Sequence, residues 1–226
     1  ENEVAYVRRI NIRGNVKTKD VVIRRELRIK PGDKFDGEKL KRSKERLHNL
    51  GFFEEVSYDT EPAEQPNERD LIVEVKEAKT GSFAFGGGYS TVDEFVGFFE
   101  ISQKNFDWKN FPYFTGAGQD LTLRAELGSI SNLFDLSFTE PWIFDYPVSF
   151  GFDLYKQEQD RESDVGYGYD ENKKGGRLRL GKEFSDYLKG NVTYRIDEIE
   201  IADVTANATA DLKAEEGKNT ISSFSF

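Results

Sequence analysis

Leu121-Thr122-Leu123-Arg124-Ala125-Glu126-Leu127 carries an apolar side chain at every second position and a polar or charged one between them. Successive side chains of a strand point to opposite faces, so one face of this segment is greasy and the other charged. The same period recurs downstream at Phe134, Leu136 and Phe138, with Asp135, Ser137 and Thr139 between them. It returns at Val148, Phe150, Phe152 and Leu154, at Leu178, Leu180 and Phe184 among Arg177, Arg179 and Gly181, and at Val192, Tyr194 and Ile196. Upstream, Phe83, Phe85 and Tyr89 alternate with small residues through Gly86-Gly87-Gly88, and Phe95, Gly97, Phe99 and Ile101 answer them after a turn near Val92-Asp93. From residue 80 onward the pattern predicts antiparallel strands alone.

A soluble sandwich also buries one face of each strand. Two features favour a bilayer. The alternating segments run about nine to eleven residues, the length a tilted strand needs to cross a membrane. Aromatics gather at segment ends, at Phe111-Pro112-Tyr113-Phe114 and at Pro141-Trp142-Ile143-Phe144-Asp145-Tyr146, where a barrel carries its interfacial girdles. If the first of these strands leaves from the side of the preceding domain, the polar stretches 157–174 and 202–218 both fall on the far side, as long external loops.

Composition agrees. With 37% hydrophobic residues in 226, the chain folds into one or two domains, and aromatics at 14% beside 20 glycines lean towards strands. No apolar run approaches the ~18 to 20 residues of a spanning helix, which excludes a helical membrane protein and leaves a barrel open. A net charge of -10 disfavours nucleic acid, and the absence of cysteine removes disulfides, thiolate metal sites and cysteine nucleophiles. The start at Glu1, without a charged-then-apolar leader, is read as a processed or partial start.

The first eighty residues have a different rhythm. Val4, Tyr6, Arg8, Ile10 and Ile12 predict a strand with these residues on one face, ending at Gly14-Asn15. Thr18 is placed as the N-cap of a helix with Asp20 in its first turn and an apolar stripe of Val22, Ile23 and Leu27, stopped by Lys30-Pro31-Gly32. Asp36 caps a second helix carrying Leu40, Leu47 and Leu50, which ends at Gly51. Strands over 53–60 and 70–76 follow across a polar loop with Pro62, Pro66 and Asn67. Strand, helix, helix, strand, strand is an α+β arrangement in which two helices cover one face of a small sheet.

The stretch 11–14, the Lys30-Pro31-Gly32 break, Leu47-His48-Asn49-Leu50-Gly51-Phe52-Phe53 and the strand Leu71-Ile72-Val73-Glu74-Val75 resemble a POTRA domain. Thr80-Gly81-Ser82-Phe83-Ala84-Phe85-Gly86-Gly87-Gly88-Tyr89, Asn105-Phe106, Gly116-Ala117-Gly118-Gln119 and Phe138-Thr139-Glu140-Pro141-Trp142 resemble the opening barrel strands of the BamA family of outer-membrane assembly factors. The resemblance implies a POTRA domain over 1–79, the one nearest the barrel, and the N-terminal half of a transmembrane β-barrel over 80–226, about eight strands of an incomplete barrel. It departs at 107–115, which is enlarged, and at Phe226, which falls in the eighth strand where family barrels have roughly sixteen.

The resemblance also implies a function: a Gram-negative factor whose POTRA domain, in the periplasm, receives unfolded outer-membrane proteins and whose barrel lies in the outer membrane. Accessory assembly lipoproteins and the lipid bilayer are the other expected partners. Phe83, Phe85, Gly86, Gly87, Gly88 and Tyr89 form the expected client-templating strand, and the POTRA sheet edge is open to β-augmentation. The alternative is a two-partner-secretion or TamA-like transporter of the same superfamily. The three glycines read equally as a weakened, bendable strand and as close packing against a neighbouring backbone. Pro141, Trp142, Phe144 and Tyr146 read as an interfacial anchor. No Gly-Lys-Ser/Thr follows the glycines, and the lone His48, near a helix end, serves neither a triad nor a multi-histidine metal site. Asp135, Glu140 and Asp153 read as lumen charge rather than an acid/base pair. No enzyme activity, metal or cofactor is expected.

Overall fold

The computed structural model describes residues 5–90, 94–161, 168–185 and 188–226. Val4, the expected turn at Val92-Asp93 and residues 162–167 of the polar stretch lie outside them. The chain divides into two compact units, Glu1–Gly81 with Lys104–Gly118, and Ser82–Gln103 with Gln119–Phe226.

The first unit holds β1 (Tyr6–Arg13), α1 (Asp20–Arg24), α2 (Gly37–Asn49), β2 (Phe53–Pro62) and β3 (Glu68–Glu77), with the sheet ordered β1-β3-β2. β3 is central, parallel to β1 and antiparallel to β2, which explains its run of buried Leu71, Ile72, Val73 and Val75. Leu71, Val73 and Val75 pack with Val22, Ile23, Ile29, Leu47, Phe52, Phe53 and Val56 in one core, every residue of which precedes residue 76, while Ile72 is buried on the other face of β3.

Three expectations for this unit need correction. In β1 the buried residues are Val7 and Ile10, because a bulge between them reverses the alternation. Arg8 is thereby turned onto Asp70, with Nε and Nη2 donating to the two carboxylate oxygens at 2.8 and 2.7 Å. α1 ends at Arg24, not at Lys30. The next amides, Glu26 and Leu27, bond three residues back, and the Arg28 N–H donates to Ser43 Oγ on α2, so the chain tightens and delivers Ile29 to the core. Thr18 does not cap α1; that position is Lys19, without a side-chain bond. The backbone N–H groups of Lys17 and Thr18 instead donate to the Glu77 carboxylate. α2 forms as expected, with Asp36 accepting from the Glu38 and Lys39 amides and Leu47 fully buried.

The second unit is one eight-stranded antiparallel sheet. Its strands are β4 (Gly81–Ser90), β5 (Glu94–Phe106), β6 (Gln119–Gly128), β7 (Ser131–Glu140), β8 (Val148–Arg161), β9 (Tyr169–Ser185), β10 (Leu188–Ala202) and β11 (Gly217–Ser225), in sequential order. The sheet is open, with β4 and β11 at its edges. β8, β9 and β10 have 14, 17 and 15 residues and so outrun the expected lengths. The described residues of the polar stretch 157–174 pair β8 with β9, from Gln157↔Lys173 to Arg161↔Tyr169, and 202–218 contains a short helix, α3 (Ala210–Ala214).

Two tests follow for the first unit. Gly14 has φ +89°, and a Cβ there would sit 2.0 Å from the Val75 carbonyl oxygen, whereas Gly32, at φ +90°, has open space. Gly14→Ala is therefore expected to destabilise by well over 1 kcal/mol, and Gly32→Ala by less, in denaturant unfolding. The Arg8 hydrogen bonds hold the Asp70 carboxyl below its ordinary range, against the opposing effect of burial. A carboxyl depressed in the fold contributes stability above its unfolded value, near 4, that is lost as pH falls through the folded value. Asp70→Asn should lower the unfolding midpoint at neutral pH and flatten its acid limb; an unchanged acid limb would contradict the assignment.

Candidate functional site: an amphipathic sheet and its first strand

Register assigns every side chain of the sheet to a face. Leu121, Phe138, Phe152, Leu178, Tyr194 and Phe224 form one continuous row of cross-strand partners. Leu123, Leu136, Leu154, Gly176 and Ile196 form the next. Many of these apolar side chains are exposed, Leu123, Leu154, Leu178 and Ile196 among them, and none belongs to the buried core. A sandwich would pack them against a second sheet, and among the described residues no second sheet covers them. Towards the far end this face turns ionic, with Lys156 paired to Glu158 at 2.5 Å, Lys174 to Glu198 at 2.8 Å and Lys218 to Glu200 at 3.5 Å.

The opposite face is a polar network. Asp153, nearly buried, accepts from Ser137 Oγ at 2.7 Å and Arg179 Nη2 at 2.9 Å, and lies 3.4 Å from Arg177 Nε. Asp197 pairs with Arg195 at 2.6 Å and accepts from the Tyr155 hydroxyl, which itself accepts from Arg195 Nε at 3.0 Å. Charges desolvated to this degree persist only when paired and hydrogen-bonded, and these are. Glu140 does not share this face: opposite Phe150 and two residues beyond Phe138, it falls on the apolar face, so the expected lumen charge is confined to Asp135 and Asp153. Glu140 accepts from Gln119 Nε2 at 2.7 Å and from the Trp142 N–H at 3.2 Å, holding the β7–β8 turn. In that turn Phe144 and Tyr146 are exposed, and Phe144 and Asp145 adopt positive φ.

On β4, Phe83, Phe85 and Tyr89 are exposed, with Phe83 against Phe99 at 5.7 Å and Tyr89 against Phe95 at 5.0 Å. The other face of the strand carries only Ala84, Gly86 and Gly88 through this stretch. The Phe98 ring of β5 lies over Gly86, where a Cβ would come within 2.7 Å of it, and Arg124 of β6 stands over the same ring at 5.6 Å. At Gly87 a Cβ would meet the Val96 carbonyl at 3.1 Å; at Gly88 it would meet nothing. Close packing therefore accounts for two of the glycines and leaves Gly88 without a steric reason.

One feature of the first unit has no signal in the local sequence: segment Lys104–Gly118, the β5–β6 connection, docks onto residues before α1. Asn105 is buried with φ +60°, a conformation asparagine tolerates. Its Nδ2 donates to Thr18 Oγ1 at 2.8 Å and its Oδ1 accepts from the Gly118 N–H at 2.8 Å. The Lys19 N–H donates to the Gly116 carbonyl at 2.8 Å, and Lys19 Nζ pairs with buried Asp107 at 2.5 Å. Asn105→Ala removes both side-chain bonds and strands the buried Gly118 amide, a loss of about 2 to 4 kcal/mol; Thr18→Val loses about 1. Hydrogen exchange at the Gly118 amide should accelerate in that order.

Residues 5–78 match the POTRA family, described as a surface antigen variable number repeat, and residues 114–226 match the Omp85 superfamily domain. The outer membrane protein assembly factor BamA of Nitratidesulfovibrio vulgaris is 33% identical over 219 residues, 97% of this chain and 26% of that protein. This chain thus spans about a quarter of that relative's length. Among solved structures, BamA from Haemophilus ducreyi lacking POTRA domains 1–3 aligns with TM-score 0.73 and 24% identity over 98% of this chain and 42% of that one. CdiB from Acinetobacter baumannii aligns at 0.57 and 17% identity, covering 91% and 40%. The α+β unit and the amphipathic sheet follow one another in the order of the two family matches, and the chain belongs to the Omp85 superfamily as a BamA-type POTRA domain joined to the N-terminal part of the barrel.

Proposed function

We propose that this chain is the barrel-proximal part of an outer-membrane protein assembly factor, with the POTRA domain in the periplasm and the sheet in the outer membrane. The observation that carries the reading is β4: a ten-residue strand with lipid-type side chains on one face, almost no side chains on the other, and β5 as its lateral partner in the described sheet. A strand of that length directs about ten backbone donors and acceptors to its other edge, and each left unpaired in hydrocarbon costs several kcal/mol. The same cost confronts an unfolded client strand entering the bilayer. Pairing the client with β4 removes both costs together, and no covalent step is needed.

In this reading unfolded outer-membrane proteins first meet the POTRA unit, where β2, and the part of β1 beyond its pairing with residues 32–35, form the sheet edges left for an added strand. Accessory assembly lipoproteins are further candidates for those edges. Phe83, Phe85 and Tyr89 face the acyl chains, and Pro141, Trp142, Phe144 and Tyr146 anchor the β7–β8 turn at the interface. The two-partner-secretion alternative has weaker support, since the likeness to CdiB is lower in both TM-score and identity and carries the fold alone.

Cysteine at Phe85, in the full-length protein, should crosslink to a stalled client, whereas cysteine at Leu154 of β8 should not. An intact barrel that gives no adduct at residues 83–89 would count against templating. Gly88→Val fits sterically and should slow client assembly; unaltered assembly would show that the flexibility of the strand at Gly88 plays no part.

A further inference from the structure

The connection between β5 and β6 carries aromatic side chains that the fold does not use. Trp108 is 60% exposed, Phe111 79% and Tyr113 78%. The base of the loop is fastened by Asn105 and by the Lys19–Asp107 ion pair. Its backbone closes on itself: the Asp107 N–H donates to the Phe114 carbonyl, the Asn110 N–H to the Asp107 carbonyl, the Phe114 N–H to the Asn110 carbonyl, and Asn110 Nδ2 to the Thr115 carbonyl. Phe114 stacks on Phe106, with centroids 6.0 Å apart, and meets Phe111 edge-on at 5.5 Å. The loop is therefore ordered from within, and it presents ring surface outward.

We propose that residues 108–114 form a membrane-docking finger, in which Trp108, Phe111 and Tyr113 enter the interfacial zone of the leaflet at which β5 and β6 emerge. The inference rests on the reading of the sheet as membrane-spanning. Position supplies the first argument. Phe111 lies ten residues after Ile101, an exposed apolar residue of β5, and five after the strand's end at Phe106. Five residues span at most about 18 Å, which keeps the headgroups within the finger's reach. Composition supplies the second, because Trp and Tyr combine an apolar ring with a polar tip that suits the interface. Lys109 Nζ, 5.1 Å from the Trp108 ring, is placed to reach lipid phosphates while its stem stays among the aromatics. Internal bonding supplies the third: the Asp107, Lys109, Asn110 and Phe114 amides are already bonded within the loop, so little ordering entropy is lost on docking.

The test uses the full-length protein with single cysteines carrying a polarity-sensitive fluorophore, reconstituted in phospholipid vesicles. The positions are Phe111→Cys, Tyr113→Cys as a second site on the finger, Val16→Cys as an exposed POTRA control and Leu154→Cys on the apolar sheet face. Labels at 111 and 113 should lose most of their emission to lipids spin-labelled near the headgroup and be protected from aqueous iodide. The label at 16 should behave in the opposite way. If Leu154 is quenched by lipid while 111 and 113 follow Val16, the finger is wrong and the membrane reading stands. If Leu154 escapes lipid quenching, both fall. Protection of 111 from iodide without lipid quenching would identify a protein partner and overturn the proposal.

Discussion

A peptide group has no partner in hydrocarbon except another peptide group, and a strand can satisfy that demand only through its neighbours. This constraint organises the second unit. Sequential antiparallel pairing from β4 to β11 consumes the backbone groups between the edges, and the pleat sorts side chains into a lipid-type face and a polar face. Neither face is a core in the soluble sense. The apolar rows through Phe152 and Leu154 stay half-buried to exposed, and the charges opposite are held by one another, Asp153 by Arg177 and Arg179, Asp197 by Arg195 and Tyr155.

The first unit obeys the other regime. Its apolar residues converge on one buried cluster under β3, and its buried ionic groups are few and paired, as Arg8 is with Asp70 and Glu26 with Arg46. The β5–β6 connection belongs to the first unit by contact and to the strands on either side by sequence. Asn105 makes that possible. Its amide satisfies a POTRA hydroxyl and a loop amide with one side chain, at a backbone conformation few other residues adopt.

Patterns of short range were legible in the sequence. The two-residue alternation gave the strands and their faces, and Asp36 with Gly51 bracketed α2 to within a residue. Interactions of long range were not. Thr18 has the composition of a cap, but its hydroxyl is taken by a residue 87 positions away. The bulge in β1 is invisible in a run whose alternation looks unbroken, because what turns Arg8 is Asp70 on another strand. Strand length escaped for a related reason: the ionic ends of β8, β9 and β10 look like loop composition, and only cross-strand pairing such as Lys174 with Glu198 makes them sheet. The role of Gly86 likewise required knowing that Phe98 lies across it.

The central claim is that the apolar face of this sheet looks into lipid while the alternate residues look into water. It is tested most directly by spin-label accessibility at each of residues 150–155 of β8, in the full-length protein in bilayers. The account predicts a period of two: collisions with lipid-soluble oxygen at 150, 152 and 154, and with a water-soluble relaxant at 151, 153 and 155. Uniform shielding from both reagents would mean that these side chains meet a packed protein core, and would contradict it.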